Sequence, residues 1–179
     1  FSTMPMPSLV KAMHINGAND MTGVTEGIPN MHEGWGRINL NNVIENGIDM
    51  YYENEKNSVS TGSSVNLNAA PSDMGRPFKV TLVWSDKPGA AGADPALVNN
   101  LDLVVEGSEG TYYGNNFTKG WSNTGGNPDD LNPVEGVYIK NPTSSYTVKV
   151  VGKNVPQGPQ KYSIVIYNTK LQSAWVKLS

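Results

Sequence analysis

The chain has 179 residues, 37% of them hydrophobic and 16% charged, with 19 glycines, 12 prolines and no cysteine. The lack of cysteine excludes disulfides, thiolate metal centres and a cysteine nucleophile. A net charge of −3 gives no electrostatic case for nucleic acid, and no apolar run reaches the ~20 residues that span a bilayer.

In chain order, the opening FSTMPMPSLV lacks the basic segment and apolar core of a signal peptide, so the chain reads as starting inside a longer protein. PSLVKAMHINGA predicts a short helix capped by Ser8, with Leu9, Val10, Met13 and Ile15 as apolar positions and Gly17 as a left-handed stop. Residues 18–33 read as a loop. GWGRINLNNVIENG predicts a second short helix from about Asn41 to Glu45, closed by Asn46 and Gly47. Two short helices and a long loop cannot bury a core by themselves, so residues 1–50 need a partner. Alone, residues 1–35 are expected to be poorly ordered or to self-associate through their apolar positions.

From about residue 58 the hydrophobic period becomes two. FKVTLVWSD places Phe78, Val80, Leu82 and Trp84 on one face and Lys79, Thr81, Val83 and Ser85 on the other. SVNLN, LDLVVEG, TYYG, EGVYIKN, SSYTVKVVGKN, QKYSIVIYN and SAWVKLS bring the total to roughly eight strands, nearly all separated by Gly, Pro or Asn. GWSNTGGNPDDLNP, residues 120–133, reads as a surface loop. Short strands without helical crossovers predict a mainly β fold, an antiparallel sandwich or jelly-roll barrel over residues 51–179.

One segment conflicts with burial. ALVNNLDLVVEG sets Asn99, Asn100 and Asp102 beside and within an otherwise apolar strand, and a carboxylate there must face water, pair with a cation or destabilise the fold. Asn100 and Asp102 are two apart and share a strand face. Asp86 ends the VTLVWSD strand, and Glu135 opens another. Asp86, Asn99, Asn100, Asp102 and Glu135 together supply the carboxylate and amide oxygens that calcium takes, ~6–8 of them at about 2.3–2.6 Å. The alternative is an ordinary turn at Asn99-Asn100 with Asp102 in solvent. Asp129 and Asp130 read as hydrated loop residues, as do Asp20 and Glu33. His14 reads as a packed or surface residue, and His32 with Glu33 does not make a zinc site. Tyr112, Tyr113, Trp121 and Tyr138 offer a second reading as a sugar-binding platform. Asn116-Phe117-Thr118 is an N-glycosylation sequon.

SLVKAMHINGAND followed by EGWGRINLNNVI resembles the end of the catalytic domain of subtilisin-like serine peptidases. The stretch from VTLVWSDKPG through ALVNNLDLVV, GTYYGNNF and NPVEGVYIKNP to KYSIVIYN resembles the C-terminal β-barrel of the larger alkaline subtilases. The resemblance implies that residues 1–50 end a catalytic domain and residues 51–179 form a jelly-roll domain holding structural calcium. It implies a secreted parent acting on protein substrates. The family's Asp, His-Gly-Thr and Gly-Thr-Ser-Met-Ala segments are absent, and neither His14 nor His32 is followed by Gly-Thr, so the chain should be inactive alone. The family often has Asn-Asp where Asn99-Asn100 stands, so Asn100 removes one charge. Trp35, between two glycines, is expected to pack against the rest of the catalytic domain, and Arg37 to pair with a carboxylate of the barrel. A carbohydrate- or substrate-binding accessory module is the alternative function. A third is complementation of a separate chain carrying the catalytic residues.

Overall fold

Alternating apolar residues bury the inner face of most strands, and two such sheets cover one another. The computed structural model describes residues 4–21, 27–44 and 47–170. Helices α1 (Pro7–Asn16) and α2 (Asn41–Ile44) precede β1 (Met50–Val59), β2 (Ser64–Ala69), β3 (Phe78–Val83), β4 (Asn100–Gly107), β5 (Gly110–Thr118), β6 (Trp121–Thr124), β7 (Val134–Ile139), β8 (Tyr146–Asn154) and β9 (Gln160–Tyr167). One sheet runs β1-β9-β3-β7 and the other β2-β8-β4-β5-β6, with antiparallel pairing in both.

Phe78, Val80 and Leu82 of β3, Val137 and Ile139 of β7, and Tyr162, Ile164 and Ile166 of β9 meet Leu101, Leu103 and Val105 of β4 and Val148 and Val150 of β8 between the sheets. The result is a sandwich rather than a closed barrel. Among the described residues no ladder continues at the β7 edge. Instead Gly136 N–H donates to Asn115 Oδ1 at 2.9 Å and Tyr138 N–H to Ser122 Oγ at 2.8 Å, so side chains of β5 and β6 satisfy that edge. No helix among the described residues is long and apolar enough to cross a membrane.

Seven of the expected strands are present, and the eighth, SAWVKLS, lies outside the described residues. Strands β1 and β6 were not expected. The sequence of β1, MYYENEKNSV, hides its alternation because the inward Glu53 is charged. The glutamate is tolerated in burial because Tyr51 Oη donates to it at 2.5 Å and Asn57 Nδ2 at 2.9 Å.

The partner that the N-terminal residues need lies within this chain. Leu9, Ala12 and Ile15 of α1 pack on Val83, Val134 and Val165, the outward face of the β1-β9-β3-β7 sheet, whereas Val10 is exposed. Ser8 does not cap the helix: Met6 occupies that position and Pro7 starts the first turn. The Ser8 hydroxyl bonds Glu55 Oε1 at 2.7 Å and Ser163 Oγ at 2.9 Å instead. Gly17 is not left-handed, having φ −89°. Its glycine serves close approach, since a Cβ there would lie 2.5 Å from Val43 Cγ2. Trp35 packs edge-on against Phe117 and Tyr138, with centroids 6.0 and 6.2 Å away, so its partners too are in the sandwich. Because Leu9 is fully buried, Leu9→Ala is expected to cost about 2–5 kcal/mol in chemical denaturation.

Arg37 makes no brace. It is exposed, and the ion pairs among the described residues are Arg76–Asp73 and Lys149–Glu106. The brace is Lys79, whose Nζ donates to the Asn16 carbonyl at the end of α1 at 2.7 Å. Asn16 Nδ2 answers with bonds to Lys79 O at 3.3 Å and Thr81 Oγ1 at 3.0 Å. Burial lowers the Lys79 pKa from 10.5 to about 8. Between those values the unfolded chain holds a proton that the folded chain lacks, so this residue makes stability rise with pH. Denaturation midpoints at pH 8 and 9.5 should show that rise, and Lys79→Met should flatten it.

Candidate functional site

Strands β4 and β5 pair from Gly107↔Gly110 to Val104↔Tyr113 and no further. Continued, the register would set Leu103 opposite Gly114. Glu135 of β7 fills that gap: its Oε2 accepts Leu103 N–H at 2.7 Å. Gly114 makes the space, because a Cβ there would lie 2.0 Å from the same oxygen. Glu135 is therefore a buried carboxylate replacing a backbone ladder, with Oε1 left without a partner.

Two more oxygens in this region are stranded. Asp102 alternates with the core residues Leu101 and Leu103 and leaves β4 on the opposite face, yet it is buried, and its Oδ1 has no hydrogen-bond partner. Asn100 donates through Nδ2 to Asp130 Oδ1 at 2.6 Å, while its own Oδ1 is buried and unpartnered. The loop before β7 supplies the rest. Asp129 accepts Asn115 Nδ2 at 2.5 Å, Asn132 Nδ2 at 2.7 Å and Leu131 N–H at 2.8 Å. Asn115, with φ +63°, also donates to Val134 O at 2.8 Å and so ties β5 to the base of the loop.

These carboxylates influence one another. Desolvation raises the Asp102 pKa to about 6, with Lys153 lowering it and Asp130 and Asp129 raising it further. Burial pushes Glu135 well above the usual carboxylate range; the Leu103 N–H opposes this, and the charges on Asp102, Asp129 and Asp130 add to it. A buried acceptor without a hydrogen to receive is costly, and Asn100 Oδ1, Asp102 Oδ1 and Glu135 Oε1 share that condition. A hard cation satisfies such oxygens. Among the described residues no three or more His, Asp or Glu already stand as a metal cage, so an ion here must draw on amide oxygens as well as carboxylates.

Of the residues singled out from sequence, Asn100, Asp102 and Glu135 belong to this region. Asp86 and Asn99 serve elsewhere. Both Asp86 oxygens accept main-chain N–H groups, from Val98 at 2.7 Å and Asn99 at 2.8 Å. Asn99 Nδ2 bonds Gln160 Oε1 at 2.8 Å and Gln157 O at 3.1 Å, and its Oδ1 accepts Gln157 N–H at 3.0 Å. They pin the loop before β4 to the turn before β9. Asp129 and Asp130, which read as hydrated, also bond Asn115 and Asn100, and Asp130 is indeed exposed. The signal for them was the clustering of Asp, Asn and Pro just ahead of Glu135, with nothing local to show that the loop folds back over β4.

Tyr112 and Tyr138 are buried, so the four aromatics do not form an exposed sugar platform. Asn116 Nδ2, the atom a glycan would occupy, donates to Gly125 O at 2.9 Å and Asn123 O at 3.2 Å. His32 is exposed and half-buried His14 lies on the outer side of α1. Glu33 accepts Asn30 Nδ2 and Met21 N–H, each at 3.0 Å.

No family model matches the chain. It is similar along most of its length to parts of three Dictyostelium discoideum proteins. It is 33% identical over 96% of its residues to "Serine protease/ABC transporter B family protein tagB", of which it covers 12%. It is 34% identical over 90% of its residues to the protein of the same description named tagA, of which it covers 10%. The one named tagD is 28% identical over 96% of the chain. The chain thus spans about a tenth of the length of these curated relatives. A solved protein of Sulfurospirillum deleyianum overlaps 68% of the chain and 98% of its own at 8% identity and a TM-score of 0.36, a likeness too slight to bear on function.

Proposed function

We propose that this chain is a non-catalytic C-terminal portion of a secreted subtilisin-like serine endopeptidase, and that its β-sandwich binds structural calcium and thereby stabilises the parent. The observation that carries the calcium reading is the trio of buried, unpartnered oxygens on Asn100, Asp102 and Glu135, beside Asp129 and Asp130. An ion held by Asp102 and Glu135 together with the Asn100 amide oxygen would neutralise two carboxylates that otherwise repel. The similarity to segments of proteins named serine protease supports the peptidase parentage. The 1–50 and 51–179 division enters as part of this reading, with residues 1–50 closing the catalytic domain. The exposed apolar residues Met4, Met31, Ile38, Leu40 and Ile44 fit a surface that the body of the catalytic domain covers.

Calcium titration by calorimetry tests the site. Glu135→Gln and Asp102→Asn are expected to weaken binding at least tenfold, while Asp86→Asn leaves it unchanged because Asp86 serves the loop. Equal affinity in all four proteins, or no heat of binding, removes the calcium reading.

A further inference from the structure

We propose that the cavity between Ile28 and the turn joining β5 to β6 binds a carboxylate carried on a small aromatic or aliphatic body. The space measures about 340 Å³ and is lined by Lys79, Lys119, Trp121 and Tyr138, with Asp20 among its residues. That volume is at the lower end of ligand pockets, roughly 300–1,000 Å³, and so suits a small molecule or a chain terminus rather than a polymer.

Lys79 decides the sign of the ligand. An ammonium has three donors. Here one meets Asn16 O at 2.7 Å, and the charge otherwise faces the rings of Tyr138 at 4.9 Å and Tyr167 at 6.0 Å. The ion pairs among the described residues involve neither Lys79 nor Lys119. Ring faces attract a cation, but a half-buried ammonium with no counter-charge among the described residues has lost part of what water gave it. A carboxylate entering the cavity supplies the missing charge and accepts the remaining donors. Lys119, exposed at the rim, adds longer-range attraction, and Lys140 stands 5.8 Å from the Trp121 ring centroid. Asp20, acidic among the described lining residues, is exposed and faces Glu33. A single half-buried ammonium matches a monoanion better than a phosphate dianion, which calls for several converging donors.

The rest of the wall selects the body of the ligand. Trp121, Tyr138 and Ile28 are apolar surfaces. Gly27 packs backbone to backbone on the turn, where an added Cβ would lie 2.4 Å from the Lys119 carbonyl carbon. The mouth is therefore framed by main chain. Such a site recognises either the free C-terminus of a peptide or a small carboxylic acid, and it is independent of the calcium reading.

The test uses the full chain with the Trp121 indole N–H signal assigned by NMR. N-acetylphenylalanine, 3-phenylpropionate and the neutral N-acetylphenylalaninamide are titrated in turn. Both acids are expected to shift that signal with millimolar affinity, and the amide to bind at least tenfold more weakly. Tighter binding of N-acetylphenylalanine than of 3-phenylpropionate identifies a peptide terminus as the source, and the reverse order a small acid. Lys79→Met should erase the preference for acid over amide. Should that variant fail to fold, the Lys79 side-chain signals of the unaltered chain must titrate at higher pH with acid bound and not with amide. Equal binding of acid and amide, or no movement of Trp121, overturns the proposal.

Discussion

Chelating calcium at pH 8 is expected to lower the melting temperature by roughly 5–10 °C. An ion present at a hundredfold excess over its dissociation constant adds about 2.7 kcal/mol to the folded state. A domain of this size loses about 2–4 °C per kcal/mol. The effect should fade with acid, and its sign follows from the carboxylates. Burial raises Asp102 to about 6 and Glu135 well above its ordinary value of 4.5. The stability these protons confer is complete below pH 4 or so, where the unfolded chain is also protonated, and is lost as pH rises through the folded-state values. Without calcium the protein should therefore melt higher at pH 5 than at pH 8. With calcium the loss above pH 6 should largely vanish, because the ion replaces the protons. Scanning calorimetry with EDTA and with calcium at both values checks this. Coincident melting curves at pH 8 would refute it.

The second large effect is expected at a residue with no side chain. Gly114→Ala should destabilise the fold by about 3–5 kcal/mol. Overpacking alone costs about 1–3 kcal/mol, and a buried N–H deprived of its acceptor adds a similar amount. The new methyl carbon would sit 2.0 Å from Glu135 Oε2 and 2.7 Å from Cδ, so the carboxylate must leave Leu103. Gly114 does not have a positive φ, so an alanine backbone is unstrained and the loss is steric. The double variant Gly114→Ala with Glu135→Ala should be markedly less destabilised than the sum of the two singles, since the methyl occupies space that the carboxylate vacated. Additive losses in a double-mutant cycle would show that the two residues do not share that space.

Much of the architecture follows from periodicity. The alternation through Phe78, Val80 and Leu82 is the core face observed, and its second face, Lys79, Thr81 and Val83, was already visible as a set. What lay hidden was its cover, because α1 packs there through contacts that no local pattern records. The same holds for Trp35: its glycine-flanked position marked an anchor, but β5 and β7 rather than a preceding domain receive it. Strand β1 escaped because its alternation runs through Glu53, made tolerable only by Tyr51 and Asn57.

The candidate site divides in the same way. Residue type and spacing along the chain sufficed for the β fold and for the oddity of Asp102 among leucines. The three-dimensional pairing alone separated Asp86 and Asn99, bound into a loop, from Asn100, Asp102 and Glu135, and brought Asp129 and Asp130 alongside. The physical reason is that an oxygen's role depends on which donors reach it. Those donors, from Val98 for Asp86 to Leu103 for Glu135, lie 12 to 32 residues away along the chain, a distance that periodicity does not span.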